Sequence, residues 1–121
     1  MITIKEKTNF EMVKEFHDKF ELKQDPNNLD YQKARIAHMT EELTEYIKAV
    51  VNEDREAQLD ALVDLVYVAL GTAHIDAFEF DKAFECVHTA NMKKIRQVSE
   101  RSKWDVVKPA GWVAPNLKEF I

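Results

Sequence analysis

From residue 59 to 73 the chain carries only two charges, Asp60 and Asp64, while Leu59, Leu62, Val63, Leu65, Val66, Val68, Leu70 and Ala73 surround most of a helical circumference. A helix apolar on nearly every side belongs in a protein interior, so this pattern predicts a buried helix over about residues 55–74. Such a helix needs other elements to cover it. With only two glycines and three prolines in 121 residues, an all-β chain would lack its turns, and the covering elements are expected to be helices.

Their periodicity is legible. Phe10, Val13, Phe16, Phe20 and Leu22 recur at roughly helical spacing after a possible N-cap at Thr8 or Asn9, predicting a helix over about 8–20. Pro26, Asn27 and Asn28 break it. A second helix is expected from Leu29 or Asp30 to Val51, with Ile36, Met39, Leu43, Ile47 and Val50 as the stripe facing the core, and residues 52–54 form a short turn. A fourth helix is expected over about 81–98, with Phe84, Val87, Met92 and Ile95 as its apolar positions. From Ser99 the pattern dissolves, and Trp104, Pro109, Gly111, Trp112 and Pro115 read as an extended flap with tight turns. The expectation is one all-α domain over residues 1–121: an antiparallel bundle of four to five helices with an extended C-terminal tail.

A net charge of −5 argues against a general nucleic-acid binder, which needs a surplus of Lys and Arg on one face. Cys86 is the only cysteine, which excludes an intrachain disulfide or a cysteine-based zinc site and leaves it a packing role. Lys5, Glu6 and Lys7 interrupt any signal-peptide core, and the longest apolar run, 65–73, is too short to span a bilayer. A cytoplasmic protein with no membrane partner is expected. A single small subunit leaves apolar faces open, so a homodimer, or a tetramer of two dimers, is expected too.

The acids carry the chemistry. At about 100° per residue from Ile36, the apolar stripe of the second helix centres near roughly 330°, Glu42 falls at about 240°, Glu45 at about 180° and Glu41 at about 140°. Asp60 and Asp64, spaced i,i+4, share one face of the third helix, and Gly71 lies on it too. Burying carboxylates of like charge requires compensation. Arg35, Lys93 or Lys94 could provide it, and a divalent cation does so better. If the two helices are antiparallel neighbours, Glu42, Glu45 and Asp64 converge on one point, and oxygen-only ligands suit Mg²⁺, with Mn²⁺ as a substitute. Such cations commonly serve phosphoryl chemistry. No glycine-rich phosphate loop occurs, so a triphosphate would be held by metal and by basic side chains such as Lys94.

These residues resemble the all-α nucleotide pyrophosphohydrolases: MazG-like proteins, dimeric dUTPases and phosphoribosyl-ATP pyrophosphohydrolase. Their pattern is E-E-x-x-E followed by E-x-x-D, matched here by Glu41, Glu42 and Glu45 and then by Asp64. Phe16-His17, the run from Val87 through Asn91 to Lys94, and Lys108-Pro109-Ala110-Gly111-Trp112 are similar to a bacterial and phage MazG-like subgroup, so the resemblance spans nearly the whole chain. It implies hydrolysis of a nucleoside triphosphate, more readily a deoxynucleotide, to the monophosphate and pyrophosphate. By resemblance, Glu42, Glu45 and Asp64 are metal ligands, Glu41 positions water or a further metal, and Asn91 and Lys94 meet sugar or phosphates. The glutamate expected three residues before Asp64 is Ala61; Asp60, next to it, is the substitute that could bind through a water or a slightly rotated helix.

Tyr67 and Trp112 are the aromatic candidates for base contact, although Trp104 and Trp112 could equally pin the tail to the bundle. His17, His38, His74 and His88 form no H-E-x-x-H pair, and Glu85 with His88 gives only half of a di-iron motif. The alternative to an enzyme is a helical oligomerisation or nucleotide-sensing module. Asp60 and Asp64 weigh against it, because a scaffold has no reason to place its only two charges on one face of a buried helix.

Overall fold

The computed structural model describes residues 6–121; Lys5, one of the charges read against a signal peptide, lies outside the described residues. The chain is all-α, with four helices and a single pair of two-residue strands among the described residues. It divides into two compact units, the second being Glu79–Ile121.

The first unit holds α1 (Asn9–Lys19), α2 (Leu29–Val51) and α3 (Arg55–Ile75). Each begins where a side chain satisfies a main-chain N–H that the helix leaves unpaired. Thr8 and Glu11 form a reciprocal capping box, which also holds the Glu11 carboxyl below its ordinary range. Asn28 Oδ1 accepts from the Tyr31 N–H at 3.0 Å, and Asp54 Oδ1 accepts from the Ala57 N–H at 3.0 Å. Between α2 and α3, Glu53 takes a positive φ of 54°, which reverses the chain within three residues.

That tight reversal makes α2 and α3 an antiparallel hairpin, pinned near both ends. Arg35 Nε donates to Thr72 Oγ1 at 2.9 Å and Arg35 Nη2 to the Val68 carbonyl at 2.8 Å; toward the turn, Gln58 Nε2 donates to the Ala49 carbonyl at 3.4 Å. Across the other side of α3 lies α1, whose Phe16 meets the Tyr67 ring edge-on at 5.4 Å between centroids. Val13, 1% exposed, is the most deeply buried large side chain described.

Two sequence expectations are corrected here. Most of the α2 stripe expected to face the core points outward: Ile36, Leu43, Ile47 and Val50 are exposed, and only Met39 is half-buried. Tyr31, Arg35, Glu42 and Ala49 face α3 instead, about 220–260° round from Ile36. Nor is α3 wrapped on all sides. Ala61, Val68, Leu70, Gly71 and Ala73 are buried, whereas Leu59, Leu62, Val63 and Val66 are exposed. Periodicity reveals that a face is apolar but not which surface covers it. By length and composition α3 could cross a bilayer, yet it carries Asp60 and Asp64 and packs along both α1 and α2.

The second unit contains α4 (Phe80–Asn91), a hairpin of β1 (Ile95–Arg96) and β2 (Val106–Val107), and a 3-10 turn at Lys118–Phe120. The fourth helix therefore ends seven residues short of Val98. Lys93 and Lys94 turn the chain, and Ile95, which fits the helical spacing, pairs with Val107 in the antiparallel ladder. The flap is thus partly ordered. Ser99 Oγ donates to Asp105 at 2.6 Å and the Arg101 guanidinium pairs with the same carboxylate, which holds Asp105 down to about 2. Cys86 is free and half-buried on α4.

Candidate active site

The hairpin positions the acids. Between the Arg35–Thr72 bond and the Gln58–Ala49 contact, residue numbers fall on α3 as they rise on α2, which brings Glu42 and Asp64 to the same level. Both are half-buried, as expected for groups at the seam of two helices. The Glu42 side chain is 16% exposed, and its Oε1 lies 3.6 Å from His38 Nε2, one turn earlier on the same helix. Glu45 is exposed, with Oε1 4.0 Å from Lys48 Nζ. Glu41 and Asp60 are exposed as well.

The hairpin register thus sets one half-buried acid from each helix at one level of the seam and leaves the others exposed. No group of three His, Cys, Asp or Glu side chains is gathered for a metal among the described residues. The donors fit a hard cation in kind, being carboxylate oxygens on facing helices. At position 61, where the resemblance implies a glutamate, Ala61 is 3% exposed. A longer acidic side chain there would have to reach out of the helix contact, so it is Glu42 and Asp64 that supply the facing pair.

Arg35 does not compensate these acids. Its guanidinium is spent on Thr72 and the Val68 carbonyl, two turns and one turn from Asp64, and it defines one wall of a cavity of about 330 Å³ between α1, α2 and α3. Phe16, His17, Tyr31, His38, Tyr67 and Val68 are among the side chains lining it. His38 belongs to both places, touching Glu42 and lining the cavity, so the two adjoin.

The cavity is aromatic with polar groups held in unusual states. His17 and Tyr31 are 6% and 7% exposed, and neither His17 Nδ1 nor Tyr31 Oη has a hydrogen-bond partner among the described residues. Burial drives the His17 pKa down, with His74 and Arg35 adding to the effect against the opposing main chain of Leu22. Burial likewise raises Tyr31, helped by Asp76, whose own carboxyl is raised by burial against the pull of Arg35. Leaving such atoms unpaired costs about 1–3 kcal/mol each. Apolar walls with few polar groups are what small-molecule sites require.

Of the aromatic candidates for base contact, Tyr67 lines this cavity. Trp112 is committed within the second unit: its Nε1 donates to the Ala90 carbonyl at 2.7 Å, and Lys94 and Lys108 stand 5.3 and 5.2 Å from its ring centre. Trp104 is exposed, with Arg96 stacked 4.2 Å from its ring centre. Asn91 is exposed at the end of α4 and Lys94 is half-buried. His17, Tyr31 and His38 were not readable as cavity residues, because a lone histidine or tyrosine on a helix looks the same whether or not a neighbour covers it. Gly71, on the face of Asp64, was the available signal.

The family model for phosphoribosyl-ATP pyrophosphohydrolase matches residues 13–91, about two thirds of the chain and all of α2, α3 and α4. No curated protein matches the sequence.

Proposed function

The chain belongs to the phosphoribosyl-ATP pyrophosphohydrolase family, enzymes that act on nucleotides, and from that premise we propose that it hydrolyses a nucleoside triphosphate to the monophosphate and pyrophosphate with Mg²⁺, or Mn²⁺ in its place. The observation that carries this reading is the facing pair Glu42 and Asp64, half-buried at one level of the α2–α3 seam beside an aromatic cavity. A deoxynucleotide is the preferred substrate class by family resemblance.

Glu42 and Asp64 would hold the cation, with Glu45 joining from one turn along and Asp60 contributing through a water. Bound there, Mg²⁺ supplies charge neutralisation for phosphate oxygens and acidifies a water. Glu41 orients that water, and Asn91 and Lys94 serve the sugar or the phosphates. The base enters the cavity against Tyr67 and Phe16, where His17 and Tyr31 acquire the hydrogen-bond partners they lack. The exposed stripes of α2 and α3 support a homodimer or tetramer, and the single cysteine supports a cytoplasmic setting.

The test is pyrophosphate release from the four ribo- and four deoxynucleoside triphosphates and dUTP, with Mg²⁺, with Mn²⁺ and with EDTA. Metal-dependent release from one or a few nucleotides is expected. The absence of release from folded protein would sink the reading in favour of a nucleotide-sensing module, which the buried Ala61 favours.

A further inference from the structure

Gly71 is one of only two glycines in the chain, and it sits buried within α3 with no special backbone angle. A glycine inside a helix costs about 1 kcal/mol relative to alanine. Since no turn requires it, its value lies in close approach. A Cβ placed on Gly71 would lie 2.7 Å from His17 Nε2 and 3.0 Å from Arg35 Nη2, inside the contact distance of real side chains.

Neither neighbour can simply back away. The His17 ring is held edge-on by Phe16 at 6.0 Å and by His74 at 5.3 Å, and Arg35 is tied to α3 by two hydrogen bonds. Open space exists on the cavity side, which both residues line. A methyl group at position 71 would therefore push His17 or the guanidinium into the volume of about 330 Å³.

We propose that Gly71 is a positioning residue for nucleotide binding: by presenting bare backbone it seats His17 and Arg35 against α3 and so sets the outline of the cavity that takes the base. This rests on the pyrophosphohydrolase reading above. Asp64 lies two turns away along α3, so a change at Gly71 acts on binding more than on the hydrolytic step.

The experiment compares wild type and Gly71→Ala in steady-state hydrolysis, in calorimetric binding of a non-hydrolysable α,β-imido triphosphate of the preferred nucleotide, and in melting temperature with and without His17→Ala. Expected is a rise in KM and in analogue Kd on the order of tenfold or more, with kcat within about threefold. The melting temperature should fall in the His17 protein and fall less in the His17→Ala background, where the closest contact is gone and Arg35 Nη2 at 3.0 Å remains. If Gly71→Ala alone loses its helicity, a fold recovered in the double variant supports the contact and a fold not recovered overturns it. Unchanged KM and Kd in an active protein overturn the Gly71 proposal alone. A wild-type chain that neither hydrolyses nor binds any nucleotide overturns the pyrophosphohydrolase reading, and this proposal with it.

Discussion

The two faces of α2 invert the usual order of an amphipathic helix. Toward α3 it presents Tyr31, Arg35, Glu42 and Ala49; away from α3 it presents Ile36, Leu43, Ile47 and Val50, of which Ile36 is 63% exposed. The inward face is anchored by Arg35 and carries Glu42 to the level of Asp64. The outward face is apolar enough to form a core yet is covered by nothing within its own unit. A contiguous apolar face is the kind of surface through which chains can associate. Inside a helical hairpin, the face that binds and the face that buries need not coincide.

The contrast can be broken from either side. On the inward side the largest effect is expected from Asp64→Asn, which removes ligand charge at constant volume: metal-dependent turnover should fall by at least about a hundredfold while far-UV circular dichroism is unchanged. Asp60→Asn, at the rim, should cost only part of the activity, and equal losses from the two would erase the distinction between seam and rim.

On the outward side, Ile47→Glu should shift sedimentation from dimer to monomer at micromolar concentration, weakening association on the order of thirtyfold for the roughly 2 kcal/mol of lost apolar burial. A stripe left bare in solution would instead respond within about 0.5 kcal/mol in stability, with no change in mass. Arg35→Ala tests the anchor. Loss of its bonds to Thr72 and the Val68 carbonyl should destabilise the fold by about 2–4 kcal/mol and lower the melting temperature by roughly 10 °C.

The smallest effect concerns pH. The folded-state pKa of His17 is depressed below the unfolded value near 6.5, so the unfolded chain binds the extra proton first. Its stabilising contribution is therefore complete above pH 6.5 and is lost as pH falls through the folded pKa. In His17→Gln the slope of stability between pH 7 and 5 should flatten, and an unaltered slope would show that another group carries it.

Much of the fold was readable in advance. Thr8 stands where an N-cap was expected, and α1, α2 and α3 run close to their expected spans, while the caps at Asn28 and Asp54 came only with the structure. The end of α4 was not readable: Ile95 suits a helix or a strand, and its pairing with Val107 depends on a segment twelve residues on. Likewise, Glu42, Glu45, Asp60 and Asp64 stood out by spacing, while their division into a half-buried pair and an exposed pair follows from the pitch and closeness of two helices.

By itself, the sequence determined α1, α2, α3 and the start of α4, and which acids share a helix face, because propensity, capping and 3.6-residue periodicity act within a few residues of each position. Only the tertiary structure decided which face of α2 meets α3, that Arg35 anchors the hairpin in place of neutralising acids, and that His17, which lines a cavity with Tyr31, lies against a bare Gly71. Those outcomes depend on the approach of helices distant in sequence, where a single missing Cβ decides what can pass.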